Sequence, residues 1–199
     1  MKSGILLSLD LSTNSTGWAI FDIKSKRLLK YGVIKPKVPG ISKMQYPEAA
    51  LYKILDISIM VGDLIDTFQP DIIIVEEINR GINRISQKSL DALHFFVFDQ
   101  IRIRSQELLK SLILVDSNGA KGWRNALGLK LSEEDKEYNK EARKYNKNNK
   151  LKKPLIDWKV LAQWYVNDRY NTSFDVVENT SDSDVCDAIA MASSFLKDI

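Results

Sequence analysis

The chain has one cysteine, Cys186, and one histidine, His94, among its 199 residues. A lone cysteine makes no internal disulfide, and one Cys with one His cannot assemble an ordinary Cys/His zinc site. Nucleophilic catalysis through a Ser-His-Asp or Cys-His arrangement would have to use His94. That residue lies in Leu93-His94-Phe95-Phe96-Val97, on an amphipathic helical pattern, and reads as structural. Long apolar runs are missing as well. No segment has the length needed to span a bilayer, and Met1-Lys2-Ser3-Gly4 followed by five mostly apolar residues is too short for a signal peptide. A cytoplasmic protein without membrane contact is expected, and any metal site in it must be built from carboxylates.

Hydrophobic residues make up 44% of the chain, enough for a sizeable core, and the length suits one α/β domain spanning residues 1–199 with an insertion at about 130–153. The net charge of +3 is unevenly spread. Between Gly119 and Lys153 there are 11 Lys/Arg against 5 Asp/Glu, so a basic segment accompanies an acidic body. A run of this kind is either a solvated helix with ordinary ion pairs or a phosphate-binding arm. Its Lys/Asn/Glu-rich composition leaves open whether it is ordered before a partner binds.

Residues 4–11, 15–24 and 27–35 alternate or run apolar between short polar breaks, which predicts three consecutive strands in an antiparallel meander. Gly17 in the second strand permits a close backbone approach near the end of the first. A helix is predicted from about Pro47 to Phe68, with Leu51, Ile54, Leu55, Ile57, Ile59, Leu64 and Ile65 as its apolar face, ending at Gln69-Pro70. Asp71 to Glu76 reads as a buried parallel strand. A second helix over Ser86 to Leu109, a strand over Ser111 to Val115, a short helix around Trp123 to Leu127 and helices over Pro154 to Tyr170 and 182–197 complete the pattern. Trp123 reads as packed and Asp182 as the N-cap of the last helix. The sum is a mixed sheet covered by helices.

Four acids stand out in this layout. Asp184 and Asp187 are three residues apart in the small, apolar stretch Asp184-Val185-Cys186-Asp187-Ala188-Ile189-Ala190-Met191-Ala192. On a helix they share one face while Val185, Ala188, Ile189 and Ala192 pack the other. Two like charges side by side are costly unless a hard cation held by their oxygens removes the repulsion. Asp10 ends the first predicted strand and Glu76 the fourth; if these are parallel neighbours, both emerge on the rim where α/β sheets carry their ligand sites. Four carboxylates there suit two divalent cations roughly 4 Å apart, the arrangement used in phosphodiester hydrolysis.

These segments resemble a known family. Leu7-Ser8-Leu9-Asp10-Leu11-Ser12-Thr13-Asn14-Ser15-Thr16-Gly17-Trp18-Ala19-Ile20 is similar to the first-strand motif of RuvC-type Holliday junction resolvases, of the ribonuclease H-like superfamily. Ile74-Val75-Glu76-Glu77 is similar to their second acidic motif and Asp184-Val185-Cys186-Asp187-Ala188-Ile189-Ala190 to the third, with the bacteriophage branch the best match in spacing. The resemblance implies a ribonuclease H-like α/β fold: a five-stranded mixed sheet, three strands as an antiparallel meander plus two parallel strands, flanked by helices. It implies a homodimeric endodeoxyribonuclease that cuts four-way or other branched DNA, three-way and flap DNA included, with two Mg2+ or Mn2+ ions per site, in a bacterial host cell if phage-encoded. Carried over, Asp10 would bridge the cations, Glu76 and Asp187 would be ligands, and Asp184 would complete the site. Two departures stand out. Glu77-Ile78-Asn79-Arg80-Gly81-Ile82 lacks the aromatic that wedges into the junction in cellular resolvases, and the basic insertion between Leu129 and Pro154 is absent from them.

DNA contacts are expected from basic residues near the rim: Arg80 and Arg84 in the loop after Glu76, Lys88 on the next helix, and Lys121, Arg124, Lys152 and Lys153 framing the insertion. The helix Ser86 to Leu109 is the expected dimer interface. Three rivals share some of these features. A nuclease of the same fold acting on RNA or unbranched DNA would need the same acids. A non-catalytic branched-DNA binding module would gain nothing from four carboxylates facing phosphates. An actin-like or sugar kinase would need a second duplicated domain and a second Gly-rich loop, which the chain is too short to supply.

Overall fold

In the computed structural model, residues 4–78, 83–117, 122–197 and 199 are described. The predicted meander is present as β1 (Ile5–Asp10), β2 (Thr16–Asp22) and β3 (Arg27–Ile34), followed by helix α1 (Glu48–Phe68) and β4 (Ile72–Glu76). Next come α2 (Arg84–Arg104), α3 (Gln106–Lys110), β5 (Leu112–Val115), the short α4 (Trp123–Ala126), α5 (Glu133–Asn148), α6 (Trp158–Tyr170) and α7 (Thr180–Lys197). The five strands form one mixed sheet in the order β3-β2-β1-β4-β5. β1 pairs antiparallel with β2 and parallel with β4, and β4 pairs parallel with β5.

Side-chain alternation divides the core between the two faces of the sheet. Leu7 and Leu9 of β1 and Ile73 and Val75 of β4 point to the face covered by α1 and α2, where Ile57, Val61, Leu93 and Val97 meet them. Leu6 and Ile74 point to the other face, where Trp123, Leu161, Val185 and Ile189 pack. α7 lies centrally on that second face, and almost every residue from Val185 to Leu196 is buried. Its Ala188, Ala190, Ala192, Ser193 and Ser194 keep the helix thin enough to sit close to the strands. Ser8 Oγ of β1 donates a buried 2.7 Å hydrogen bond to the Ala188 carbonyl, tying the central strand to the helix.

Several predicted boundaries move. The helix expected over Ser86 to Leu109 begins at Arg84 and breaks at Ser105, whose extended backbone ends α2 and whose side chain caps α3. α6 begins at Trp158 rather than Pro154, because Asp157 caps it and Pro154 to Ile156 are held extended. Leu51 and Ile59 of α1 are exposed, since the helix buries a narrower stripe through Ile54, Ile57, Ser58, Val61, Gly62 and Ile65. Asp182 does not cap α7. Asn179 does, accepting from the Ser181 backbone N–H, while Asp182 sits in the first turn and accepts from Asp175 N–H.

The basic segment is a helix, closed at its N-terminus by a capping box between Ser132 and Asp135. Two asparagines on one side of α5 clamp the chain that follows it. Asn139 accepts from Ile156 N–H and donates to its carbonyl, at 2.8 and 2.7 Å, and Asn146 does the same to Lys153 at 2.7 and 2.9 Å. Among the described residues, no helix is long and apolar enough to cross a membrane.

Candidate active site

Strand alternation brings the acids together. Asp10 continues the Leu6–Ser8 side of β1 and Glu76 the Ile72–Ile74 side of β4, so both face α7 rather than α1 and α2. The parallel register sets Leu9 beside Val75, which puts the two carboxylates next to each other at the strand ends. Glu77 has the opposite parity and is exposed. α7 brings Asp184 and Asp187 to the same rim.

Gly17 allows that approach. It pairs with Asp10 across the β1–β2 ladder. A Cβ built on it would lie 1.9 Å from the Asp184 carbonyl oxygen and 2.7 Å from the Val185 nitrogen, so only glycine lets α7 pass this close.

Electrostatics show how crowded the rim is. Burial, followed by the charges of Asp187, Glu76 and Asp184, holds the Asp10 carboxyl well above its ordinary range. Asp187 is 7% exposed. Burial pushes its carboxyl up to about 7, with Arg124 pulling down and Glu76 pushing up. Asp184 is raised by burial, while the neighbouring Ser15 hydroxyl and the charges of Lys159 and Lys35 act in the other direction.

The basic residue at the cluster is Arg124. Its Nη2 lies 3.5 Å from Asp187 Oδ2 and 3.6 Å from Glu76 Oε1, and its guanidinium stacks 4.7 Å from the centre of the Trp123 ring. Trp123 is buried, as expected. Among the described residues, Arg124 is the only one of the basic residues singled out from the sequence that pairs with one of the four acids. Arg84 opens α2 instead of lying in a loop, and both it and Lys88 are exposed. Lys152 donates its ammonium to the Asn146 and Asn149 carbonyls, closing the C-terminal end of α5, and Lys153 sits over the Tyr145 ring. Arg80 and Lys121 lie outside the described residues. Sequence reading missed Lys35 and Lys159. Lys35 was legible in principle, since it follows Ile34, which the β2–β3 register pairs with Thr16 at the rim.

His94 is buried, with Nδ1 3.0 Å from the Leu90 carbonyl and Nε2 3.2 Å from the Glu76 carbonyl. It fixes the backbone of an acidic residue and takes no place in the cluster.

Among the described residues, no three His, Cys, Asp or Glu side chains converge tightly enough to hold one metal ion as they stand. The donor set nevertheless suits a hard divalent cation. It is all carboxylate oxygen, burial and then the neighbouring acids raise Asp10, and Asp187 Oδ1 is buried without a hydrogen-bond partner.

No protein-family model matches the sequence, and comparison with curated protein sequences finds no match. Solved structures do match. Thermus thermophilus RuvC superposes with a TM-score of 0.57 at 14% identity, covering 96% of this chain and 92% of that one. The same protein in complex with a Holliday junction substrate gives 0.52 at 14%, covering 96% and 91%. The yeast mitochondrial Holliday junction resolvase Ydc2 gives 0.53 at 12%, covering 98% of this chain and 80% of that one. The fold is therefore the RuvC-like form of the ribonuclease H-like fold. In three dimensions the chain is similar to the RuvC and Ydc2 resolvases, at low sequence identity.

Proposed function

We propose that the chain is a metal-dependent, structure-selective endonuclease that hydrolyses phosphodiester bonds in Holliday junctions and other branched DNA, of the bacteriophage RuvC-like branch and acting in the cytoplasm of a bacterial host. One observation carries the reading: four carboxylates from β1, β4 and α7 lie along one rim of a RuvC-like sheet, near enough for the other three to act on Asp10, and glycine at position 17 lets the helix bearing two of them approach. Such crowding is unfavourable for a polyanion-binding module and is useful to a hydrolase that holds divalent cations.

Asp10, Glu76, Asp184 and Asp187 would hold Mg2+ or Mn2+, probes of the site that supply charge neutralisation of the anionic transition state and a water of lowered pKa. The residues of the chain do the rest. Asp10 and Glu76 set the position of the site on rigid strands. Asp187, mostly buried, presents its carboxylate from α7. Lys35 and Lys159 supply positive charge at the edge of the cluster, where a DNA phosphate would lie.

The proposed assembly is a homodimer through α2, whose Ile85, Phe95 and Ile103 are exposed, Phe95 at 72%. The experiment on substrate class compares cleavage of matched four-way, three-way, flap and linear DNA in Mg2+ at one salt concentration. Four-way DNA is expected to be cut fastest. Equal rates on linear duplex would overturn branched-DNA selectivity.

A further inference from the structure

Arg124 stands where a cation is needed, and its setting is built for it. The residue belongs to α4, at least 48 residues along the chain from each of the four acids. Its backbone is pinned on both sides: Trp123 N–H donates to the Asp116 carbonyl and Leu129 N–H to the Arg124 carbonyl, each at 2.9 Å. The buried Trp123 ring forms a floor under the guanidinium. The side chain is 16% exposed, and one nitrogen, Nη2, faces both Glu76 and Asp187.

We propose that Arg124 is the resident counter-cation of the acidic cluster, which Glu76 and Asp187 exchange for a divalent cation when metal binds. The inference rests on the metal-dependent nuclease reading and deepens it. A guanidinium stays charged at any working pH, so it offsets the repulsion among the acids whether or not metal is present. Its distances of 3.5 and 3.6 Å are longer than the 2.7–2.9 Å of a strong charge-assisted hydrogen bond, so the pair is an ion pair that can separate. The two oxygens that it faces belong to two of the proposed metal ligands. Arginine and metal therefore compete for the same carboxylates, and the metal-free protein is stabilised at the expense of metal affinity.

The test uses the full chain and Mn2+ alone as the probe, with binding read by electron paramagnetic resonance and thermal melting followed in EDTA. R124Q is expected to bind Mn2+ about tenfold more tightly than the wild type, equivalent to about 1.4 kcal/mol. Its melting midpoint in EDTA should fall and recover on adding Mn2+. R124K, which keeps a charge on a shorter and more hydrated group, should fall between the two; it decides the matter if R124Q does not fold in EDTA. Mn2+ binding that D10N weakens but that both Arg124 variants leave at or below the wild-type affinity overturns this inference alone. Absence of Mn2+ binding in every form, wild type included, overturns it together with the nuclease reading.

Discussion

Gly17 and Asp184 touch through their backbones: the Asp184 carbonyl occupies the space that a side chain at residue 17 would need. The contact lies one strand away from Asp10, which pairs with Gly17, so the same glycine controls how near α7 comes to the first acid. Replacement by alanine puts a methyl group into immovable backbone. G17A should lose about 1–3 kcal/mol of stability and most cleavage activity, because α7 and both of its acids must move outward. Thermal melting and a cleavage assay check this; a variant with wild-type midpoint and rate would show that the helix does not need its present depth.

The crowded acids also make stability depend on pH. The folded-state pKa values of Asp10 and Asp187 are raised, that of Asp187 to about 7. Groups raised on folding favour the folded state fully below their unfolded pKa of about 4, and that contribution disappears as pH rises through the folded value. In EDTA the melting midpoint should therefore fall between about pH 5 and pH 8, and D187N should flatten much of the slope. A midpoint that rises over this range in the wild type would contradict the arrangement of charges.

Asn139 and Asn146 make a third test, away from the rim. Each holds both backbone polar groups of one residue in the extended strand of chain before α6. N139A leaves the Ile156 groups without those partners in a partly buried place, at a cost of about 1–3 kcal/mol. Limited trypsin digestion should then cut faster at Lys150 or Lys152. Unchanged digestion would mean that the clamp does not hold this segment.

Much of the fold was legible from the order of strands and from single residues. The apolar runs of β1 and β4 and the Pro70 that restarts the chain fix the sheet, and strand parity alone predicts that Asp10 and Glu76 share a face while Glu77 does not. What escaped were features that depend on tertiary contact. Nothing in Trp123-Arg124 announces that its guanidinium reaches two acids far along the chain, so Arg124 read as one more basic residue framing the insertion. The Asn139 and Asn146 spacing was hidden in a Lys/Asn/Glu-rich run that resembles a solvated tail, because its partners are backbone groups that composition cannot reveal. Ser105 and Asp157 shifted helix ends through caps that a periodicity of apolar residues does not register.

Removing charge from Asp10 or Glu76 tests the central proposal most directly. D10N and E76Q should abolish Mg2+-dependent cleavage of four-way DNA, a loss of at least about a thousandfold on the scale of lost transition-state stabilisation, while binding to the same junction in Ca2+ stays within a few-fold of wild type. Cleavage by either variant at the wild-type rate would contradict the assignment of these carboxylates to a hydrolytic metal site.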